Sequence, residues 1–430
     1  MRLTFHRLIF WSHLIAGLLV GVIVLSMAVS GLLIAYETQL MDWANRDLRV
    51  AVPADSSTRL GVEAIVAKSR AENLSPSGVT VKADPALPVT VSIGREGTFY
   101  FNPYTGQNLG SGAESWHHFF HAATDWHRFL TQTGLERPVG KAITGAGTLL
   151  FGFLLVSGIY LWWPRHWRAA NLKAALLFNR KLKGRARDWN WHNVIGFWSS
   201  FPMLLIILTG LIMSYTWANN LLFKMTGNEP PPPRQGPPGA MAAGPGGPGA
   251  GGEGRRGPGG PGGAEGERRR EGGGSPAEGE RRREGGGPPG EGRGGERPAG
   301  PPVAVEGLDA LLAQVQTQHA GWGSISLRMP QAPGGPFPIM LDKGGRGQPH
   351  LRTMLNLDLA KKEIQTSPDN FEQLNLGRRL RMYARFLHTG ELFGFFGQTI
   401  AVLCTLSAML LVWTGFALAW RRFFKKASAQ

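Results

Sequence analysis

Four long apolar segments constrain this chain more than any other feature. They cover residues 8–36, 139–163, 192–217 and 392–420. At a rise of about 1.5 Å per residue, a helix of each length can cross a hydrocarbon layer of about 30 Å. The first segment carries no formal charge between His13 and Tyr36 and is too long for a signal peptide, so we interpret it as a retained helix. The sequence predicts a membrane protein with four spanning helices and excludes a soluble globular protein.

The charge distribution predicts how the chain is oriented. The net charge is +16, of which residues 1–9 contribute +2, residues 164–191 contribute +7 and residues 421–430 contribute +4. These charges flank the ends of the apolar segments, as in cytoplasmic loops of inner-membrane proteins. We therefore expect a multi-pass protein of the bacterial inner membrane with both termini cytoplasmic. Membrane lipid is an expected partner and nucleic acid is not.

Residues 229–302 have a different composition from the rest of the chain. They contain no Phe, Trp, Tyr, Leu, Ile or Val, and they carry 11 Arg and 10 Glu. Such a segment cannot bury enough apolar surface to offset its ordering entropy, so we predict a disordered linker. The single cysteine, Cys404, lies in the fourth apolar segment, which leaves the 11 histidines as the candidates for metal chemistry.

The apolar segments form an internal repeat. Segments one and three match at an offset of 179, and segments two and four match at an offset of 257. Between segments one and three, His13 matches His192, Gly17 matches Gly196, and Ser30-Gly31 matches Thr209-Gly210. At the second offset, Ser157-Gly158 matches Thr414-Gly415, and Arg128-Phe-Leu matches Arg385-Phe-Leu. The chain is thus a duplicated unit of helix, external region and helix.

These observations predict an all-α four-helix membrane bundle, built from a duplicated two-helix unit, with two small α+β external domains. The domains are residues 37–115 and 303–377, each a helix (58–70 and 307–319) followed by a three-stranded meander. The other predicted parts are a His-rich external helix (116–138), a basic cytoplasmic loop (164–191), a helix extension that continues into the fourth span (378–420) and a cytoplasmic tail (421–430).

Two histidines occupy equivalent positions near the cytoplasmic ends of the first and third spans. If the repeat brings these spans together, His13 and His192 face each other in the geometry for bis-imidazole ligation of a b-type haem. Gly17 and Gly196 lie one turn further on the same faces, where they leave room for a porphyrin. The alternative is that the histidines are interfacial side chains and the glycines serve helix packing.

A second group of histidines precedes spans two and four. His127 and His388 lie nearest the membrane, and this pair could hold a second haem near the outer surface. His121 and His117 are alternate ligands. The alternative is that these residues belong to an amphipathic helix with an aromatic, His-rich surface.

Four arginines, Arg378, Arg379, Arg381 and Arg385, lie on the outer flank of the fourth span, against the charge rule that sets the orientation. Arg128, Arg379, Arg381 and Arg385 could pair with the two propionates of an outer haem, with anionic lipid or with an acidic ligand. No Cys-x-x-Cys-His occurs, which excludes covalent c-type haem, and no Gly-x-Gly-x-x-Gly follows a strand, which argues against a nucleotide-binding domain.

The arrangement resembles the PepSY-associated transmembrane family over nearly the whole chain apart from the linker. The resemblance rests on the His-x-x-x-Gly openings at His13 and His192, the four Ser/Thr-Gly pairs, the stretches around His127 and His388, and the two external domains, which look like PepSY domains. It implies an inner-membrane ferric-siderophore reductase, an oxidoreductase with two b-type haems.

The function that we expect on these grounds is reduction of a ferric siderophore outside the cytoplasm, releasing Fe(II), with electrons from a cytoplasmic donor or quinol. Siderophore oxygens hold Fe(III) better than the softer Fe(II), so reduction suits release. One alternative is a haem-free PepSY regulator that binds or inhibits a peptidase. Another is a transporter subunit, which is weakened because no span has a central charged residue.

Overall fold

The computed structural model describes residues 2–54, 59–94, 97–164, 169–231, 303–330, 332 and 334–424. Residues 232–302 of the predicted linker and residues 425–430 of the predicted tail lie outside the described residues. The helices of the described part are α1 (Arg2–Ile34), α2 (Glu37–Ala44), α3 (Val62–Ala71), α4 (Glu114–Phe129), α5 (Arg137–Trp162), α6 (Ala169–Leu176), α7 (Gly184–Ser214), α8 (Thr216–Met225), α9 (Leu308–Gln318), α10 (Leu376–Thr389) and α11 (Gly394–Phe423).

Four helices are long and apolar enough to span a membrane, which confirms that the chain is a membrane protein. The spanning stretches are Phe5–Ile34, Arg137–Trp162, Gly184–Ser214 and Glu391–Phe423. They correspond to α1, α5, α7 and α11, and each packs against two of the others: α1 and α7 both contact α5 and α11. We call the end where α1 finishes and α5 begins the sheet side, and the opposite end the far side.

Several boundaries differ from the sequence expectations, and the helix predicted for residues 116–138 ends at Phe129, before α5 begins at Arg137. The third span begins at Gly184 rather than residue 192, so its first two turns belong to the segment predicted as a basic loop, and α6 occupies another part of that segment. The predicted extension into the fourth span is broken into α10 and α11. The break follows Thr389, where Gly390 adopts φ +76°, a conformation that favours glycine.

The regions between the spanning helices share one antiparallel sheet. Its strands are β1 (Gly78–Lys82), β2 (Val89–Ile93), β3 (Gly97–Phe101), β4 (Ser324–Arg328), β5 (Phe337–Asp342), β6 (Arg352–Asp358) and β7 (Glu363–Thr366), in the order β3-β2-β1-β4-β5-β6-β7. The first six lie close to the predicted strands. The short, polar edge strand β7 was not anticipated, since it has only one apolar residue, Ile364.

The pairing of β1 with β4 joins the two halves of the chain. Five residue pairs match across it, from Gly78 opposite Arg328 to Lys82 opposite Ser324. One core lies beneath the joined sheet and contains the inward residues of the strands together with those of α3 and α9, among them Ile65, Val66, Leu308 and Val315. The two external domains expected from the sequence are therefore two halves of a single sheet with a common core.

Side-chain contacts hold the sheet against the sheet-side ends of the helices. Arg346, in the loop between β5 and β6, donates to Thr38 Oγ1 at 2.7 Å and pairs with Glu391 at 3.3 Å. Gln39 of α2 donates to Gln398 of α11 at 2.6 Å. The sheet is thus anchored to both copies of the repeat.

Candidate functional site: two opposed histidine pairs

His13 and His192 line one cavity at the far side. The cavity has a volume of about 450 Å³, a size typical of small-molecule and cofactor sites, which span about 300–1,000 Å³. Gly17 and Gly196 line it as well, and most of its other lining residues are apolar or aromatic. The structure therefore brings together the four far-side residues singled out in the sequence.

A hydroxyl group orients each far-side imidazole. His13 Nδ1 lies 2.8 Å from Ser157 Oγ, and His192 Nδ1 lies 2.9 Å from Thr414 Oγ1. Ser157 donates its own proton to Phe153 O at 2.7 Å, and Thr414 donates to Leu410 O at 2.7 Å. Since each hydroxyl proton is used within its helix, each oxygen accepts from an imidazole Nδ1–H. The Nε2 lone pair of both rings is then free for a metal.

The sheet-side pair is His127 of α4 and His388 of α10. Their ring centroids are 6.3 Å apart and the ring planes make an angle of 59°. Nδ1 of His127 donates to Met27 O at 2.9 Å, and Nδ1 of His388 donates to Ile206 O at 2.9 Å. A carbonyl can only accept a hydrogen bond, so both rings again keep Nε2 unprotonated.

The spacing of this pair suits a metal ion between the rings. A metal–imidazole bond measures about 2.0–2.1 Å, and adding about 1.2 Å from each nitrogen to its ring centre gives about 6.4–6.6 Å between centroids in a linear arrangement. The observed 6.3 Å is close to this range. Burial lowers the pKa of His388 to about 4 and also lowers the pKa of His127, so both imidazoles are neutral and able to bind a metal at pH 7.

The four Ser/Thr-Gly pairs of the repeat each contact one histidine. Ser30 and Thr209 approach His127 and His388 as Ser157 and Thr414 approach His13 and His192. The glycine after each hydroxyl residue faces Cε1 of the same ring: added Cβ atoms would lie 3.2–3.7 Å from it, at Gly31, Gly158, Gly210 and Gly415. This role was missed from sequence, although the matched spacing of the pairs was its signal.

The sheet-side histidines are equivalent in space although their sequence offset differs from that of the spans. His127 and His388 are 261 positions apart, and so are Ala123 and Ala384, which are both buried. The starts of α5 and α11 are 257 apart, so the turn before α11 is four residues shorter. The sequence match of Arg128-Phe-Leu with Arg385-Phe-Leu is therefore not a match in space, because it aligns residues across this shortened turn.

Of the four predicted arginines, two donate hydrogen bonds, and the guanidinium groups of the other two, Arg128 and Arg385, lie over the rings of Phe129 and Phe386. Arg379 is engaged with the carbonyl oxygens of Phe371 and Glu372, and Arg381 donates to Asn219 Oδ1 at 3.0 Å. Within the described residues, neither Arg128 nor Arg385 lies within 4.0 Å of a carboxylate. The surrounding protein lowers the pKa of both guanidinium groups, chiefly through burial, while their side chains still reach water.

The alternate ligands lie elsewhere on α4. His121 Nδ1 is 3.8 Å from Asp125, and His117 Nε2 is buried with no hydrogen-bond partner in the described part of the chain. The described residues contain no cluster of three or more His, Cys, Asp or Glu side chains suited to a metal ion. Among the histidines considered from sequence, the two opposed pairs are the ones that the fold brings together.

These features define a membrane protein with four spanning helices and a two-histidine site toward each end. The family model for the PepSY-associated TM region matches residues 10–422, and the chain belongs to this family. A search of curated proteins finds no match.

Proposed function

We propose that this chain is an inner-membrane b-type dihaem reductase that delivers electrons to a ferric siderophore on the sheet side. One haem is held by His13 and His192 and the other by His127 and His388. The observation that carries the proposal is the presence of two opposed histidine pairs, each ring fixed through Nδ1 so that Nε2 is free. Haem bound at both sites supplies one-electron transfer between the two ends.

The protein's own groups orient the cofactor and adjust its surroundings. Ser157, Thr414 and the carbonyls of Met27 and Ile206 hold the imidazole tautomers. Nδ1 hydrogen bonds of this kind raise the basicity of the ligating nitrogen and stop the ring from turning. No general acid or base is required, because electron transfer to the iron chelate moves no proton.

The sheet side is the proposed site of chelate reduction. Positive charge is concentrated at the far side, which favours a cytoplasmic far side and a periplasmic sheet. Arg128 and Arg385, which lack close carboxylates in the described residues, can pair with haem propionates or with an acidic chelate. Electrons are then supplied at the far side by a cytoplasmic donor or quinol, and Fe(II) leaves its weakened complex at the sheet.

The visible spectrum of the purified protein tests this proposal against a haem-free regulator. We expect about two non-covalent haems per chain, spectra of six-coordinate b-type centres in the reduced state, and reoxidation of the dithionite-reduced protein by a ferric siderophore. A preparation without haem after growth in ample haem would contradict the proposal. Normal haem content with no reoxidation by any ferric chelate would reject the reductase activity alone.

A further inference from the structure

The far-side cavity has a cationic edge that the histidine pairs do not explain. His6, Arg185 and Arg422 line this cavity together with His13 and His192. His6 is seven residues before His13, and Arg185 is seven residues before His192. Seven residues are two helical turns, so each lies on the same face as its histidine, about 10.5 Å further toward the far side.

These edge residues follow the internal repeat. His6 and Arg185 are 179 positions apart, which is the offset of His13 and His192. Arg422 lies seven residues after Gly415, the glycine that faces His192, and thus extends the same cavity wall along α11. Its guanidinium sits 4.9 Å from the Phe10 ring and 5.1 Å from the Trp11 ring, which places it against the first helix.

The acidic residue nearest to Arg185 in the sequence already forms ion pairs with two other arginines. Asp188 is 1% exposed and pairs with Arg187 at 2.8 Å and with Arg421 at 3.1 Å. In the described part of the chain, no carboxylate lies within 4.0 Å of Arg185 or Arg422. Residues 165–168 and 425–430, outside that part, contain no Asp or Glu.

An apolar cavity edged by two guanidinium groups, neither of them within 4.0 Å of a carboxylate in the described residues, suits an amphipathic dianion. Arginine binds carboxylates bidentately, and such charge-assisted bonds are stronger than neutral ones. We propose that Arg185 and Arg422 bind the carboxylates of the porphyrin held by His13 and His192. This inference rests on the proposed function, since it takes haem as the occupant of the cavity.

Titration of apo-protein with haem and with haem dimethyl ester tests the inference, because the ester lacks the two carboxylates. The titrations use the full-length protein with His388→Ala, so that the far-side pair is the one complete pair. Arg185→Gln and Arg422→Gln should each weaken haem binding by about tenfold, as expected for the loss of one charge-assisted bond. Binding of the ester should be the same in the parent protein and in both variants.

Matched variants distinguish the effect of losing a positive charge from the effect of disrupting the structure. Arg180→Gln removes an exposed arginine on the same side that does not line the cavity, and it should leave both titrations unchanged. Arg185→Lys and Arg422→Lys keep the charge but lose the planar fork, so their haem affinity should lie between those of the parent and the glutamine variants. Lysine variants that bind haem more weakly than the glutamine variants would overturn carboxylate pairing.

Two further outcomes contradict the inference. If the glutamine variants lose haem and ester equally, the arginines act on the structure of the site rather than on carboxylates. If they lose neither, and bind phosphatidylglycerol nanodiscs more weakly than the parent while phosphatidylcholine nanodiscs show no difference, their partner is a lipid phosphate. Failure of the protein with intact histidines to bind either porphyrin would instead reject the proposed function.

Discussion

A hydroxyl group next to a glycine prepares each histidine for metal binding. Thr414 shows the arrangement most simply: Oγ1 donates to Leu410 O and accepts from His192 Nδ1, while Gly415 leaves space beside Cε1. This hydrogen bond fixes the tautomer and orientation of the imidazole before a metal binds, so less conformational entropy is lost on binding. Ser157 and Gly158 repeat this arrangement at His13, whereas the hydroxyls of Ser30 and Thr209 lie 3.4 and 3.2 Å from rings whose Nδ1 donates to a carbonyl. All four Ser/Thr-Gly pairs thus contact a histidine.

Thr414→Val keeps the shape of this side chain but removes the acceptor for His192 Nδ1. We expect haem affinity at the far side to fall by about 10–100-fold, as is typical for loss of a hydrogen bond behind a metal ligand. Thr405→Val is the matched control, because that hydroxyl, on the same helix, bonds to Ala401 O and contacts no histidine. Equal haem retention in the two variants, measured by transfer to apomyoglobin, would exclude a role for the Thr414 hydroxyl in holding the ligand.

Substitution of the histidines themselves should separate the two sites. His13→Ala or His192→Ala should remove one of two haems and block reduction of the sheet-side haem from the far side. His127→Ala or His388→Ala should spare the far-side haem and block reduction of the chelate. Pyridine-haemochrome stoichiometry measures the loss, and a value of two haems in both His13 and His192 variants would contradict this pairing.

At the scale of elements, helices α3 and α9 cap each other across the repeat. Asp309 Oδ1 accepts from Val62 N at 2.7 Å, and Glu63 Oε1 accepts from Asp309 N at 2.9 Å. Each helix therefore supplies an acceptor for the free amide groups at the start of the other. This reciprocal contact adds to the β1–β4 pairing in joining the two halves of the sheet.

Asp309→Ala should weaken the joined sheet. Loss of an N-terminal cap costs about 0.5–2 kcal/mol, and we expect a decrease of that size in the opening free energy of β1 and β4, measured by hydrogen exchange. Asp47→Ala, which removes a largely exposed carboxylate, is the control and should have no effect. Because Glu63 and Asp309 form one reciprocal contact, the double Glu63→Ala, Asp309→Ala variant should lose less than the sum of the single variants. Additive losses would show that the two caps act independently.

At the scale of the whole molecule, each copy of the repeat holds its own histidines but neither copy completes a pair. Ser157 and Met27 hold the two histidines of the first copy, and Thr414 and Ile206 hold those of the second. Every opposed pair then takes one ring from each copy. The duplication therefore builds two sites from one repeated pattern.

Dividing the chain between residues 164 and 169 into two separate copies tests whether each site needs one histidine from each copy. Co-expressed copies should associate, since α1 contacts α11, α5 contacts α7 and β1 pairs with β4, and the complex should bind about two haems. The first copy with His13→Ala and His127→Ala, co-expressed with the intact second copy, should still associate but should lose both bis-histidine spectra. A second copy that binds two six-coordinate haems when expressed alone would contradict the shared pairs.

The sequence by itself determined the four spans, the duplication and the positions of the histidines, because these depend on local apolar length and on matched spacing. It also located most strands, whose alternating apolar residues, as in Val89, Val91 and Ile93 of β2, report one buried face. Only the tertiary structure decided that the two external regions form one sheet, since backbone pairing between β1 and β4 leaves no trace in side-chain periodicity. It also decided the equivalence of His127 and His388. The turn before α11 is four residues shorter than the turn before α5, so these two histidines occupy equivalent positions in space although the offset between them differs from that of the spans.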